Sequence, residues 1–182
     1  VKVGMPAQTT NVTAALLVKL AILLGRENGH LSAADAGKLL DELHSLPAKV
    51  EKVLKDAYAW AKPIAESLKG RRYYTFIGGG PSYAAAQNAS GMLAYVAHLP
   101  AMPLEVEEFH HAYRASVLDP GDPVVIVAPS GDTNKRSDDT VKAAVAANAR
   151  PLLIATSQTA SLYDREVLVL PDVSEPMSAV LT

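Results

Sequence analysis

Residues 73–99 read YYTFIGGGPSYAAAQNASGMLAYVAHL. The stretch begins with β-forming residues, runs into three glycines and leaves them as an alanine-rich helical segment. That order predicts a strand, a tight turn and a helix, the opening of a parallel β-α unit. The turn also carries the parts of an anion site. Gly78 to Gly80 let the backbone come close, Pro81 suits a first helical turn, and Ser82 adds a hydroxyl. The first N–H groups of a helix lack intrahelical partners, and the helix dipole places roughly half a positive charge there. Three readings stay open at this point: a dinucleotide, a phosphorylated small molecule, or a tight bend with a capping serine and no ligand.

The same alternation continues downstream. MPLEV (102–106), PVVIVAP (123–129), PLLIATS (151–157) and EVLVLP (166–171) read as strands, several of them continuous apolar runs suited to a sheet covered on both faces. Between and after them, EEFHHAYRA (107–115), SDDTVKAAVAANA (137–149) and SEPMSAVLT (174–182) read as helices. The expected fold is α/β: a three-layer α/β/α sandwich with a five-stranded, mainly parallel, flavodoxin-like sheet, plus N-terminal helices.

Upstream, residues 8–28 form a helix with a wide apolar face, and residues 30–46 a second one capped by Ser32. Pro47 is expected to break or restart the helix, Pro63 to kink it and Gly70 to end it. The strongest apolar run, TAALLVKLAILLG (13–25), contains Lys19 and is too short for a hydrocarbon core of about 30 Å, so it reads as a buried helix. No membrane partner is expected. The chain opens on a loop leading into this apolar helix and stops where another helix has only begun. Both are expected of a piece of a larger protein lacking a neighbouring domain or subunit, and a disordered end is the alternative for the second.

At 182 residues, 49% of them apolar, the chain suits one packed domain. A net charge of −2 provides no broad positive field, which argues against a nucleic-acid partner. The absence of cysteine rules out disulfides and thiolate metal sites and fits a cytoplasmic location.

A second ligand-binding loop is expected at VAPSGDT (127–133), where Ser130, Gly131, Asp132 and Thr133 follow a strand. In an open parallel sheet, ligands bind at the carboxyl ends of the strands near the switch point, so two such loops can grip one phosphate. The dinucleotide reading is weak, because Tyr83 stands where the third fingerprint glycine should be. A Walker lysine is absent as well.

EVEEFHHAYR (105–114) gathers Glu105, Glu107, Glu108, His110 and His111. Glu108 and His111 are three apart and would share a face of a helix, a carboxylate and an imidazole suited to proton transfer near neutral pH. A solvated acidic helix end with an incidental histidine pair is the plain alternative. A metal on Glu108, His110 and His111 is disfavoured, since adjacent helical residues diverge by about 100°. His30, His44 and His98 read as caps or surface residues, and Tyr58 and Trp60 as packing groups.

FIGGGPSYAAAQ, EVEEFHH and VVIVAPSGDT, in this order and spacing, resemble the sugar isomerase (SIS) domain. The likeness is to the isomerase part of glucosamine-6-phosphate synthases and to the fructosamine-6-phosphate deglycases, which carry two such domains in tandem. It implies three regions: residues 1–30 as the closing loop and helix of a preceding SIS domain, 31–69 as a helical linker, and 70–182 as an SIS domain. It further implies a sugar-phosphate ligand held by Gly80, Ser82, Ser130, Gly131, Asp132 and Thr133, with Glu108 and His111 as catalytic residues. No cofactor and no metal is implied. The implied partner is a second copy, as a homodimer, or a second SIS domain.

The sequence departs from the family pattern at four places. Ala128 replaces the first serine of the second loop, and Ala112 replaces the glycine after the histidine. Met92 and Tyr95 stand where the family has a lysine and the proton-shuttling glutamate. The resemblance therefore implies either an isomerase, deaminase or deglycase acting on an aminohexose or hexose 6-phosphate, or a non-catalytic module that binds one.

Overall fold

A computed structural model describes residues 7–113, 118–132, 135–161, 163 and 166–182. Two helices come first, α1 (Ala7–Glu27) and α2 (Ala33–Ser67). Then follow β1 (Tyr74–Gly78), α3 (Pro81–Ala97), β2 (Ala101–Glu105) and the short α4 (Val106–Glu108), which runs into a π-helical turn, Phe109–Tyr113. The chain continues through β3 (Pro123–Ala128), α5 (Ser137–Ala146), β4 (Arg150–Thr156), α6 (Ser157–Ala160), β5 (Glu166–Leu170) and α7 (Glu175–Leu181).

The five strands are all parallel, in the order β2-β1-β3-β4-β5. β3, central and flanked on both sides, is buried along its whole length, which is why PVVIVA is an unbroken apolar run. β2 lies at the edge, where Pro103 and its missing N–H are tolerated. At the other edge, Arg150 of β4 donates from Nε and Nη2 to the Glu166 carboxylate of β5, 2.8 Å each, and from Nη1 to Ser67 Oγ of α2 at 2.8 Å. That pairing holds the Glu166 carboxyl below its ordinary value.

One face of the sheet packs Ile77, Val124, Ile126 and Leu153 against Val141 and Ala144 of α5 and against Val106 and Phe109. The other packs Val125 and Leu152 against Ile64 and Leu68 at the end of α2. A third apolar cluster joins α1, α2, β5 and α7 through Ile22, Leu43, Leu46, Leu168 and Met177. The three-layer arrangement is as the sequence implies.

Three expectations need correction. α2 is one element of 35 residues containing both Pro47 and Pro63. Buried Ala36, Leu43 and Leu46 before Pro47 and partly buried Val50, Val53 and Ala57 beyond it pack in one apolar cluster, so packing outweighs the lost backbone hydrogen bonds. Leu68 caps its C-terminus, with Gly70 two residues beyond at φ +87. Residues 107–113 are not a regular α-helix, because the backbone breaks at His111 (φ −76, ψ −127). Finally, α1 extends over 21 residues, about 31 Å at 1.5 Å per residue, so shortness no longer argues against a membrane span. Residues Thr9–Glu27 are long and apolar enough by length and composition. Ile22 is buried, and Ala14, Ala15 and Val18 pack beside it, but Leu16 is 62% exposed and Leu17, Leu20 and Leu24 are exposed with it.

Candidate functional site

β1 and β3 are neighbours, with Gly78 level with Val127. β2 leaves β1 on one side and β3 continues on the other, so the switch point of the sheet falls between β1 and β3. The Gly78–Ser82 turn and the 129–132 loop therefore leave the same rim on adjacent strands.

The first turn is built from backbone. A Cβ on Gly78 would lie 2.3 Å from the Ser82 carbonyl oxygen, so only glycine lets the strand end pass this close to the helix. Gly80 occupies the N-cap position with φ 51 and ψ −124, a conformation that excludes side-chain-bearing residues at little cost to glycine. No side chain caps α3, so Ser82 is not a capping serine. Two amides expected to await a ligand are already used: Ser82 N–H donates to Gly79 O and Tyr83 N–H to Gly80 O, both at 3.0 Å. Ser82 itself is 0% exposed, and its hydroxyl has no partner among the described residues. A buried hydroxyl left unpaired costs about 1–3 kcal/mol.

The second loop is built from side chains. Ser130 Oγ shares a hydrogen bond of 2.5 Å with Thr156 Oγ1 at the end of β4. Thr159 Oγ1 lies 3.2 Å from Thr156 Oγ1 and donates to Ala128 O at 3.1 Å. The Asp132 N–H donates to Glu175 Oε2 at 3.3 Å, while the Asp132 carboxylate pairs with Lys135 at 2.9 Å. Gly131 and Asp132 are exposed, and Thr133 lies outside the described residues.

Glu108 and His111 are both exposed on the segment that follows β2. Their neighbours anchor it. Arg136 Nη1 donates to both carboxylate oxygens of Glu107 at 2.6 Å, and His110 Nε2 is 3.0 Å from Thr140 Oγ1. Phe109 between them is fully buried. The expected shared helical face of Glu108 and His111 is lost to the break at His111. Among the described residues no three His, Asp or Glu side chains gather as metal ligands. Met92 is half-buried and Tyr95 65% exposed on α3.

Sequence reading missed Thr156, Thr159, Glu175 and Arg136. A signal existed for the first two, since ATSQTAS (155–161) repeats the pattern of hydroxyls after a strand.

Comparison with known proteins places this geometry. A family model described as the SIS domain matches residues 68–181. The chain is 30% identical over 181 residues to a glutamine–fructose-6-phosphate aminotransferase (isomerizing) of Thermococcus kodakarensis, covering 99% of the chain and 30% of that protein. It is 28% identical over 179 residues to the protein of the same name from Vibrio vulnificus, covering 96% of the chain and 28% of the relative. The chain thus spans under a third of the length of these relatives. In fold it matches the C-terminal domain of glucosamine-fructose-6-phosphate aminotransferase from Francisella tularensis, with a TM-score of 0.81 and 19% identity over 89% of the chain and 46% of that structure.

Proposed function

The chain belongs to the SIS domain family, and from that premise we propose that it binds a hexose or aminohexose 6-phosphate at the β1/β3 switch point. The observation that carries this is the shared rim: two loops bearing hydroxyls leave adjacent parallel strands at the place where such sheets take ligands. The unpaired Ser82 hydroxyl supports it, because a phosphate oxygen reaching that group would remove its cost. In this reading Gly80, Ser82, Ser130, Gly131, Asp132 and Thr133 surround the phosphate and the sugar, and Glu108 and His111 serve the reacting carbons. The reaction would be isomerisation, deamination or deglycation.

A second reading, binding without turnover, is favoured by Met92 and Tyr95. Neither supplies a carboxylate at the position where the family shuttles a proton, and a tyrosine is a poor base at neutral pH. Fructose-6-phosphate, glucosamine-6-phosphate and a fructosamine-6-phosphate, each incubated with the protein, distinguish the two. Conversion of any one is expected from the enzyme. Thermal stabilisation without conversion establishes the binding module, and neither effect rejects both.

We also propose that α1 belongs with a preceding SIS domain or a second subunit and that residues 31–69 act as the linker. Leu16, Leu17, Leu20 and Leu24 form an exposed apolar face of a kind that is rare on a monomer. Sedimentation of the natural full-length protein with hydrogen exchange across 13–25 tests this. Slow exchange is expected there, and a monomeric mass with rapid exchange in α1 refutes it.

A further inference from the structure

The 129–132 loop rests on a part of the molecule that lies outside the matched SIS region. Ser174 precedes α7 in the position where a serine hydroxyl ordinarily accepts a bond from its own helix. It makes no such bond. Instead its N–H donates to Glu42 Oε1 of α2 at 2.6 Å and its hydroxyl donates to Glu42 Oε2 at 2.7 Å. Seven residues, or two turns, further along α2, Lys49 Nζ donates to the carbonyl of Asp172 at 2.9 Å. Between Glu42 and Lys49, Leu43 and Leu46 are buried in the cluster that contains Val173 and Met177. α2 therefore grips residues 172–174 at both ends and from beneath.

That gripped segment sends two arms to the rim. Asp172 Oδ2 accepts from Ser157 Oγ at 2.5 Å, and Ser157 directly follows Thr156, the hydroxyl partner of Ser130. Glu175, next to Ser174, brings its carboxylate to the Asp132 N–H and lies so close over Gly131 that a Cβ there would be 2.5 Å from Glu175 Cδ. Charge-assisted hydrogen bonds are the stronger kind, and two on one serine fix both its position and the direction of the next residue.

We propose that Glu42 is a positioning residue for the 130–132 loop. It fixes Ser174, and through Ser174 the Glu175 carboxylate that seats Gly131 and Asp132, so α2 supports the candidate site as well as joining domains. The consequence for ligand affinity rests on the phosphosugar reading given above; the positioning itself does not.

The test is residue-resolved amide exchange on the full chain with Glu42→Ala, Glu42→Gln and Glu175→Ala. In Glu42→Ala, exchange at Asp132 is expected to rise about fivefold while Val124 to Val127 of β3 keep wild-type rates. Glu42→Gln keeps an acceptor for the Ser174 N–H and should recover most of the protection. Adding Glu42→Ala to Glu175→Ala, which itself removes the acceptor of the Asp132 N–H, should change Asp132 no further, since the two act in series. Unchanged exchange at Asp132, an equal rise across β3, or full additivity in the double variant overturns the proposal. Titration with fructose-6-phosphate is the second arm, with affinity about fivefold weaker expected in Glu42→Ala. A wild type that binds none of fructose-6-phosphate, glucosamine-6-phosphate and a fructosamine-6-phosphate rejects the phosphosugar reading, and the exchange result still judges Glu42 alone.

Discussion

The turn after β1 and the loop after β3 leave one rim side by side, yet they are built in opposite ways. The first is held by its own backbone: Gly78 and Gly80 admit no side chain, the amides of Ser82 and Tyr83 close on Gly79 and Gly80, and the buried Ser82 hydroxyl has no partner among the described residues. The second is held from elsewhere, through Thr156 at the end of β4, Thr159 just after it and Glu175 at the start of α7. A turn that depends on local geometry is rigid but intolerant of substitution. A loop tied by side chains from distant segments can be adjusted by any of them.

Breaking the first turn should have the largest effect. Gly78→Ala drives a methyl group into the Ser82 carbonyl, backbone against backbone, and should cost about 3 kcal/mol in urea denaturation. A loss below about 1 kcal/mol would mean that the turn yields, and the contrast between the two regions would fall. Next comes function. Ser82→Ala removes an unpaired buried hydroxyl and should leave stability unchanged or slightly raised. Combined with Thr133→Ala it should weaken binding of a sugar phosphate about tenfold, near 1.4 kcal/mol, and spare the unphosphorylated sugar. Equal losses for both sugars would count against the assignment. The smallest effect belongs to the second loop. Thr156→Val takes the hydroxyl from Ser130 and should cost about 1 kcal/mol, leaving exchange in the β1 turn at wild-type rates. Full stability in that variant would show that the Ser130–Thr156 bond does not hold the loop.

The same contrast explains what could be read in advance. The five strands were legible because buried parallel strands are short, apolar and bounded by turn residues, as in PVVIVAP. The Gly78–Ser82 turn was legible because its geometry is made by adjacent residues, and Ser32 was recognisable as a cap, its Oγ accepting from Asp35 N–H at 3.1 Å. The passage of α2 through Pro47 was not legible, because the contacts that hold it there come from α1, β5 and α7. Nor was the break at His111, which follows from a segment pinned by Glu107, Phe109 and His110 to a helix some thirty residues away.

Chain order alone was enough for the layers, the direction of the strands and the two hydroxyl-bearing loops of one rim, since periodicity and turn chemistry act over a few residues. Which side chains complete that rim was settled in three dimensions. Glu175 meets Asp132 across 43 positions and Glu42 meets Ser174 across 132, distances over which no spacing rule operates. Only the packing of α2 and α7 against the sheet brings those groups within reach.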